Sequence, residues 1–232
     1  MRVGARALAG VIGLAMAGCA ATAAPSGRED GLRFVALGDS YTIGTSVAES
    51  ERWPNQLVAR LAGDPVSLQL VGNPAVNGFT SRDLIEFELP QLDSLRPEFV
   101  TVLIGVNDVV QGVDEAEYDA NMAAILDALL ERLAADRILC IATPDYTVTP
   151  QGAAYGDRVS RRAAISDVND ALRRASERRG IRFVPDIFEI SQAAGDDSSM
   201  VARDGLHPSR AQYRLWVSAI EPVVRDLLAS GS

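Results

Sequence analysis

The sequence contains a single histidine, and an aspartate lies three residues before it. The block from Asp204 to Pro208 reads Asp-Gly-Leu-His-Pro, so the Asp204 carboxylate can accept the Nδ1 hydrogen of His207 and hold one tautomer. Far upstream, Ser40 stands in a Gly-Asp-Ser-Tyr block. A serine hydroxyl is a poor nucleophile at neutral pH unless an adjacent base takes its proton. Because His207 is the sole imidazole, Ser40, His207 and Asp204 form a candidate set for nucleophilic catalysis.

Two further blocks carry hydrogen-bond donors of the kind that serine catalysis needs. When a serine attacks a carbonyl group, the carbonyl oxygen becomes a negatively charged oxyanion, and hydrogen-bond donors must point at it. The backbone N–H of Gly78, the side-chain amide of Asn107 and the backbone N–H of Ser40 are the candidates. Each residue also has a structural interpretation, since glycine supplies positive φ and asparagine satisfies backbone groups in tight turns. We predict an oxyanion hole formed by Ser40, Gly78 and Asn107.

The composition removes several classes of protein. All 22 basic residues are arginine, so no lysine is available for a Schiff base or a phosphate-binding loop. One histidine cannot furnish a three-histidine zinc site, and we expect neither a metal nor an organic cofactor. The formal net charge of −9 repels phosphate backbones, so we expect no nucleic-acid partner. The 232 residues, 47% of them hydrophobic, are enough for one domain with a full core.

The N-terminal residues are typical of a bacterial export signal. Two arginines precede an uncharged run, Ala7–Gly18, that is too short to span a bilayer. Cys19 follows small residues, which resembles the bacterial lipobox, although Met16 replaces the usual leucine. In a lipobox the cysteine thiol receives a diacylglycerol group and becomes the new N-terminus, so we predict membrane attachment through Cys19. The alternative is ordinary secretory cleavage at the Ala-Thr-Ala of residues 21–23, which would release a secreted protein.

Beyond residue 31, short apolar runs alternate with longer amphipathic stretches. The predicted strands are Leu32–Leu37, Val66–Val71, Phe99–Ile104, Ile138–Ala142 and Ile181–Val184. The predicted helices lie near residues 53–62, 81–88, 115–135, 158–179 and 209–229. The apolar runs lack polar alternation, which indicates strands buried on both faces. Strands alternating with helices predict an α/β fold with a parallel sheet covered on both sides.

The candidate residues follow the predicted strands. In parallel sheets the ligand crevice lies beyond the carboxyl ends of the strands. Ser40 follows the first strand, Gly78 the second and Asn107 the third. The irregular stretch 143–157, rich in Pro, Gly and Thr, is a candidate edge of the same site. The pattern therefore predicts one polar crevice that collects residues from distant parts of the chain.

With these four blocks in this order, the chain resembles the SGNH hydrolases, also called the GDSL esterase/lipase family. That family is named after the serine, glycine, asparagine and histidine that match Ser40, Gly78, Asn107 and His207. The resemblance implies a serine nucleophile, a catalytic triad completed by His207 and Asp204, and the oxyanion hole described above.

The resemblance covers most of the chain and departs from the family pattern at two positions. It implies a flavodoxin-like, three-layer α/β/α sandwich with a five-stranded parallel sheet over residues 32–230. We expect residues 1–18 to be the signal peptide and residues 19–31 to be a flexible tether.

The two departures from the family pattern are single residues. Tyr41 replaces the leucine of the GDSL block, and Phe79 stands where many relatives carry aspartate or another small or polar residue.

The implied activity is hydrolysis of an ester through an acyl-enzyme. We expect a small-molecule ester as the partner, either a short-chain carboxylic ester or a lysophospholipid, and a monomeric, exported protein. The alternative substrate is an O-acetylated carbohydrate of the cell envelope or of plant polysaccharide. The alternative from another class is a catalytically silent, lipid-tethered binding protein that keeps the fold.

Several other conspicuous residues have structural interpretations. Asp39 and Asp108 are expected to hold loops by hydrogen bonds to backbone N–H groups. Trp53 and Trp216 fall in predicted helices, and we expect them to pack in the core or at its rim. None of these four residues is assigned a catalytic role.

Overall fold

The computed structural model describes Met1 and residues 31–64 and 67–230. The strands are β1 (Leu32–Gly38), β2 (Leu68–Gly72), β3 (Phe99–Leu103), β4 (Ile138–Ile141) and β5 (Arg182–Val184). The α-helices are α1 (Ser40–Ile43), α2 (Trp53–Leu61), α3 (Ser81–Asp83), α4 (Leu92–Leu95), α5 (Val106–Gln111), α6 (Glu115–Leu130), α7 (Arg158–Glu177), α8 (Asp186–Ser191) and α9 (Arg210–Ser230). A π-helical turn spans Leu84–Glu88. Single 3₁₀ turns lie at Glu49–Glu51, Leu89–Gln91, Ala135–Arg137, Tyr146–Val148, Gly152–Tyr155, Gln192–Gly195 and Ser198–Met200.

The five strands form one parallel sheet in the order β2-β1-β3-β4-β5. The central strands β3 and β4 are buried along their whole length, whereas the edge strands β2 and β5 are partly exposed. The order reverses between β1 and β3, which makes this pair the switch point where ligands bind in doubly wound sheets. The predicted α/β fold with a five-stranded parallel sheet is confirmed.

Helices cover both faces of the sheet and create two hydrophobic cores. Successive residues of β1 point to opposite faces, so Phe34 belongs to one core and Val35 to the other. The first core contains Trp53 of α2 and Trp216 of α9, both fully buried, which confirms that these tryptophans are packing residues. The second core contains Tyr118 and its neighbours on α6. Burying large apolar side chains on both faces fixes the sheet as the middle layer of three.

The helical boundaries differ from the sequence prediction where helices are short. The predicted helix at 81–88 is an α-helical turn followed by a π-helical one, and the long helix predicted to reach residue 135 ends at Leu130. Helices α1, α4, α5 and α8 were not predicted, because four to six residues are too few to display a helical hydrophobic period. Two of them, α1 and α5, directly follow β1 and β3 and carry candidate site residues.

No helix in the described ranges is both long enough and apolar enough to cross a membrane. Apart from Met1, the predicted signal peptide (1–18) lies outside those ranges, and so do Cys19 and all of the predicted tether (19–31) except its last residue.

Candidate active site

A crevice of about 220 Å³ opens at the carboxyl edge of the sheet, at the switch point between β1 and β3. Ser40, Gly78, Asn107 and His207 all line it. The rest of its wall consists of Tyr41, Asn77, Val106, Val110, Tyr146, Tyr155 and Leu206. Both tyrosines of the 143–157 stretch contribute, which confirms this stretch as an edge of the crevice. The residues predicted to act together therefore do meet in one place.

Ser40 is delivered by a sharp turn at the end of β1. Gly38 has a φ of +152°, and a Cβ at this position would lie 2.3 Å from the carbonyl oxygen of Leu103 on β3, so only glycine fits. Asp39 then caps α1, because its Oδ1 accepts a hydrogen bond from the N–H of Tyr41 at 2.9 Å. Ser40 is the first residue of α1 and is 6% exposed. Within the described chain its backbone N–H has no hydrogen-bond partner and is available to a ligand.

His207 is tied to Asp204 by a short hydrogen bond. Nδ1 of His207 lies 2.7 Å from Oδ2 of Asp204, while Oδ1 accepts the backbone N–H groups of Leu206 and His207 at 2.9 and 3.0 Å. The segment is closed by a bond from the N–H of Ala202 to the carbonyl of His207 at 2.7 Å. Burial alone would raise the pKa of Asp204, but these hydrogen bonds and one from Ser46 outweigh it and lower the pKa to about 2. The carboxylate is therefore charged at any neutral pH and fixes the imidazole ring.

Gly78 and Asn107, which were predicted to form the oxyanion hole with the N–H of Ser40, also line the crevice. Gly78 has a φ of +85°, and a Cβ there would meet nothing within 4 Å, so positive φ rather than lack of space demands glycine. Its N–H is also without a partner in the described chain. The amide of Asn107 is engaged: its Nδ2 donates to the carbonyl of Phe79 at 2.9 Å and to Oδ2 of Asp39 at 3.3 Å. Two of the three predicted donors are thus free, and the third is held by the protein.

Three buried carboxyl groups, those of Asp39, Asp108 and Glu88, lie near the turn that carries Ser40. Asp108 accepts the N–H and the hydroxyl of Ser81, at distances of 2.5 to 3.2 Å, and so ties α5 to α3. Together with the Asp39 cap, this confirms the predicted loop-holding roles of both aspartates. Burial raises the pKa of Asp108, and burial raises that of Asp39 to about 7 in spite of the Tyr41 N–H.

Glu88 is the third of these acids, and the sequence reasoning missed it. Its Oε2 accepts the N–H of Gly38 at 2.9 Å, its side chain is fully buried, and burial raises its pKa to about 8. The π-helical turn Leu84–Glu88 aims this side chain at β1. The available signal was the spacing: Glu88 lies four residues after buried Leu84, on the same side of a helical turn, whereas Glu86 of the same stretch is exposed. Glu88 therefore supports the turn that carries Ser40, and its raised pKa favours the protonated form at neutral pH.

These features define a class of protein: a three-layer α/β/α hydrolase with a serine, a histidine and an aspartate at the switch point of its sheet. The sequence pattern of the GDSL-like Lipase/Acylhydrolase family matches residues 36–215, and the chain belongs to that family. The predicted family resemblance is confirmed, and the chain is a serine ester hydrolase.

Similar proteins agree with this assignment. Esterase TesA of Pseudomonas aeruginosa is 25% identical over 215 residues, which cover 93% of this chain and 98% of that protein. A crystal structure of TesA superposes with a TM-score of 0.67 at 23% identity, covering 84% of this chain and 99% of the other. The structure of Axe2, an acetylxylan esterase from Geobacillus stearothermophilus, superposes with a TM-score of 0.63 at 18% identity, covering 85% and 96%. The two superpositions show the same fold.

Proposed function

We propose that Ser40 is the nucleophile of this ester hydrolase, that His207 is its general base and acid, and that Asp204 orients the imidazole. The observation that carries the proposal is the 2.7 Å bond between Nδ1 of His207 and Oδ2 of Asp204 in a crevice that Ser40 also lines. This bond directs the other ring nitrogen, Nε2, away from the carboxylate and leaves it to exchange a proton with a hydroxyl.

The reaction proceeds in two halves. The Ser40 oxygen forms a bond to the ester carbonyl carbon while its proton passes to His207. The resulting tetrahedral oxyanion collapses, the bond to the leaving alcohol breaks, and His207 returns the proton to that alcohol. His207 then takes a proton from a water molecule, whose oxygen attacks the acyl-enzyme. The second collapse releases the carboxylic acid and restores the Ser40 hydroxyl.

The oxyanion is stabilised by hydrogen-bond donors of residues that line the crevice. The free N–H groups of Ser40 and Gly78 supply two hydrogen bonds. Asn107 supplies the third by exchanging its longer bond, 3.3 Å to Asp39, for the oxyanion, while its 2.9 Å bond to the Phe79 carbonyl keeps the amide in place. An exchange of this kind makes the third donor available only when the negative charge develops, which favours the transition state over bound substrate.

The crevice suits a short acyl chain. The side chains of Val106, Val110 and Leu206 and the ring of Tyr146 give it an apolar lining, and its volume is about 220 Å³. We therefore propose short-chain carboxylic esters as the main substrates, with lysophospholipids as the larger substrate class to compare. Each buried methylene group adds about 0.8 kcal/mol to the binding free energy. The value of kcat/KM should therefore rise with the length of the acyl chain until the chain fills the pocket.

An O-acetylated carbohydrate is the second candidate substrate. Tyr155 lines the crevice and is 38% exposed, so its ring can pack against a sugar that carries the acetyl group. The Axe2 structure, which has the same fold, belongs to an acetylxylan esterase. An acetyl group is much smaller than the 220 Å³ crevice, so this substrate would depend on contacts of the sugar with Tyr155 more than on the apolar lining.

One set of assays separates these proposals. Hydrolysis of p-nitrophenyl esters from acetate to laurate, of lysophosphatidylcholine and of acetylated xylan should be compared, with Ser40→Ala as the control. A kcat/KM that peaks at short chains supports the carboxylesterase, whereas release of acetate from xylan at a higher kcat/KM supports the deacetylase. A wild-type protein that hydrolyses none of them and takes no fluorophosphonate label on Ser40 would leave the silent binding protein as the correct interpretation.

For localisation, we propose that residues 1–18 are removed on export and that a diacylglycerol group on Cys19 anchors the mature domain, residues 32–230, through the tether. The support is the basic, apolar and small-residue order of the N-terminal sequence. Membrane fractionation of wild type and Cys19→Ser tests it. Release of the variant into the soluble fraction is the expected result, and unchanged membrane association would contradict lipidation at Cys19.

A further inference from the structure

Ser46 makes a contact that the proposed reaction does not yet use. Its Oγ donates a hydrogen bond of 2.6 Å to Oδ2 of Asp204, the same oxygen that lies 2.7 Å from Nδ1 of His207. The two residues are 158 positions apart in the chain, so the contact is created only by folding. Ser46 belongs to the segment that follows the C-terminus of α1, and it therefore links the segment that carries Ser40 to Asp204.

The backbone at Ser46 is held in an unfavourable conformation. Its φ is +67°, and in the described part of the chain only Arg96 shares a positive φ among non-glycine residues. This region disfavours residues with a Cβ, and glycine would adopt it without cost. Backbone strain of this kind persists where the side chain has a task that offsets it. At Ser46 the task visible in the structure is the hydrogen bond to Asp204.

With Ser46 in place, every acceptor position of the Asp204 carboxylate is occupied. Oδ1 accepts hydrogen bonds from the backbone N–H groups of Leu206 and His207. Oδ2 accepts hydrogen bonds from Nδ1 of the His207 ring and from the hydroxyl of Ser46. Two donors on each oxygen fix both the position of the carboxylate and its rotation about the Cβ–Cγ bond. Without Ser46, Oδ2 would be held by the imidazole alone, and the imidazole is the group that must stay in position while its other nitrogen gains and loses a proton.

We propose that Ser46 is a positioning residue for catalysis, and that its hydroxyl holds Oδ2 of Asp204 so that the aspartate orients His207 toward Ser40. This inference rests on the proposed function, because it assigns Ser46 a role through Asp204 and His207. The hydroxyl also shares the negative charge of Oδ2, which limits how strongly the carboxylate holds the proton on the ring.

The test compares Ser46→Ala with Ser46→Gly. Both variants remove the hydroxyl, but glycine also removes the backbone strain. If the hydroxyl matters, both should lose about 10-fold to 100-fold in kcat on p-nitrophenyl acetate with KM within about twofold, since an orienting group acts on the chemical step. Ser50→Ala is the matched control, because Ser50 is an exposed serine of the same segment and should retain wild-type kcat.

The single histidine provides a second, direct readout. In protein labelled with ¹⁵N-histidine and purified without a histidine tag, every imidazole resonance belongs to His207. Loss of the Ser46 hydroxyl should move the Nδ1 resonance and the proton in the His207–Asp204 hydrogen bond in both variants. A residue that only stabilises the fold would leave these resonances where they are.

The outcomes separate this inference from the proposed function. An inactive wild type that is not labelled by a fluorophosphonate would refute the proposed function itself. An active wild type, an inactive Ser40→Ala and the joint loss in both Ser46 variants would support the positioning role. Wild-type kcat and unchanged His207 resonances in Ser46→Gly would overturn it, even if Ser46→Ala were impaired, because strain and not the hydroxyl would then be the cause.

Discussion

Glu88→Gln should change how the stability of the protein depends on pH. Burial raises the pKa of Glu88 from 4.5 to about 8, with the nearby charges of Asp39 and Asp83 adding to the rise. The folded state therefore keeps a proton that the unfolded state releases. The stability linked to this proton is complete below pH 4.5, declines as the pH rises, and is lost by about pH 8.

The magnitude follows from the size of the pKa change. At about 1.4 kcal/mol per pKa unit, a shift from 4.5 to about 8 corresponds to a ceiling of about 5 kcal/mol over this pH range. Relaxation of the site around the ionised group brings the measured value to a few kcal/mol. Glutamine keeps an oxygen for the N–H of Gly38 but cannot ionise. Its added N–H groups need partners, so the variant should be about 1 kcal/mol less stable than wild type at pH 5 and more stable at pH 9.

Urea unfolding followed by circular dichroism at pH 5, 7 and 9 measures the effect. The wild type should lose free energy of unfolding across this range faster than Glu88→Gln, with part of the remaining slope due to Asp39. Glu86→Gln is the control, because Glu86 lies on the same π-helical turn but is exposed, and its curve should run parallel to that of the wild type. Parallel curves for Glu88→Gln and wild type would refute the reasoning, since Glu88 would then be ionised in the folded protein at every pH tested.

The remaining predictions concern the site and its supports. The variants Ser40→Ala and His207→Ala should each lose at least about 10⁴-fold in kcat on p-nitrophenyl acetate. The double variant should lose about as much as either single variant, because the two residues act as one unit, and a loss equal to the product of the two single losses would contradict this. Gly78→Ala should lower the free energy of unfolding in urea by about 1–2 kcal/mol, owing to the positive φ and not to a clash, and unchanged stability would be inconsistent with that backbone conformation. Tyr213→Phe removes a buried hydroxyl that donates to a carbonyl of α1 at 2.9 Å and should cost about 1 kcal/mol in the same assay, whereas Tyr155→Phe in the crevice wall should cost nothing measurable.

The sequence was most informative where strands end. Ser40 and Asn107 follow buried apolar strands, and parallel strands have their carboxyl ends at one edge of the sheet. The crevice between them could therefore be predicted from order alone. The aspartate three residues before His207 could be predicted as its partner for a similar reason, since so short a segment cannot separate them far.

The orientation of groups within the site could not be predicted in this way. Asn107 was expected to donate to the oxyanion, yet its amide donates to the carbonyl of Phe79 and to Asp39. These contacts join segments 28 and 68 residues away in the chain and arise only on folding. Glu88 lies 50 residues from Gly38, and a π-helical turn, which has no clear sequence signature, brings them together.

The amino-acid sequence by itself determined the sheet, the order of the four blocks and the choice of candidate site residues, because these depend on local apolar patterns and on chain direction. Only the tertiary structure decided which hydrogen bonds from distant segments hold those residues in place. Ser46 reaches Asp204 and Glu88 reaches Gly38 across long loops, and such contacts depend on how the layers pack around the sheet. Hydrogen bonds require distances near 3 Å, and a sequence pattern does not specify positions to that precision.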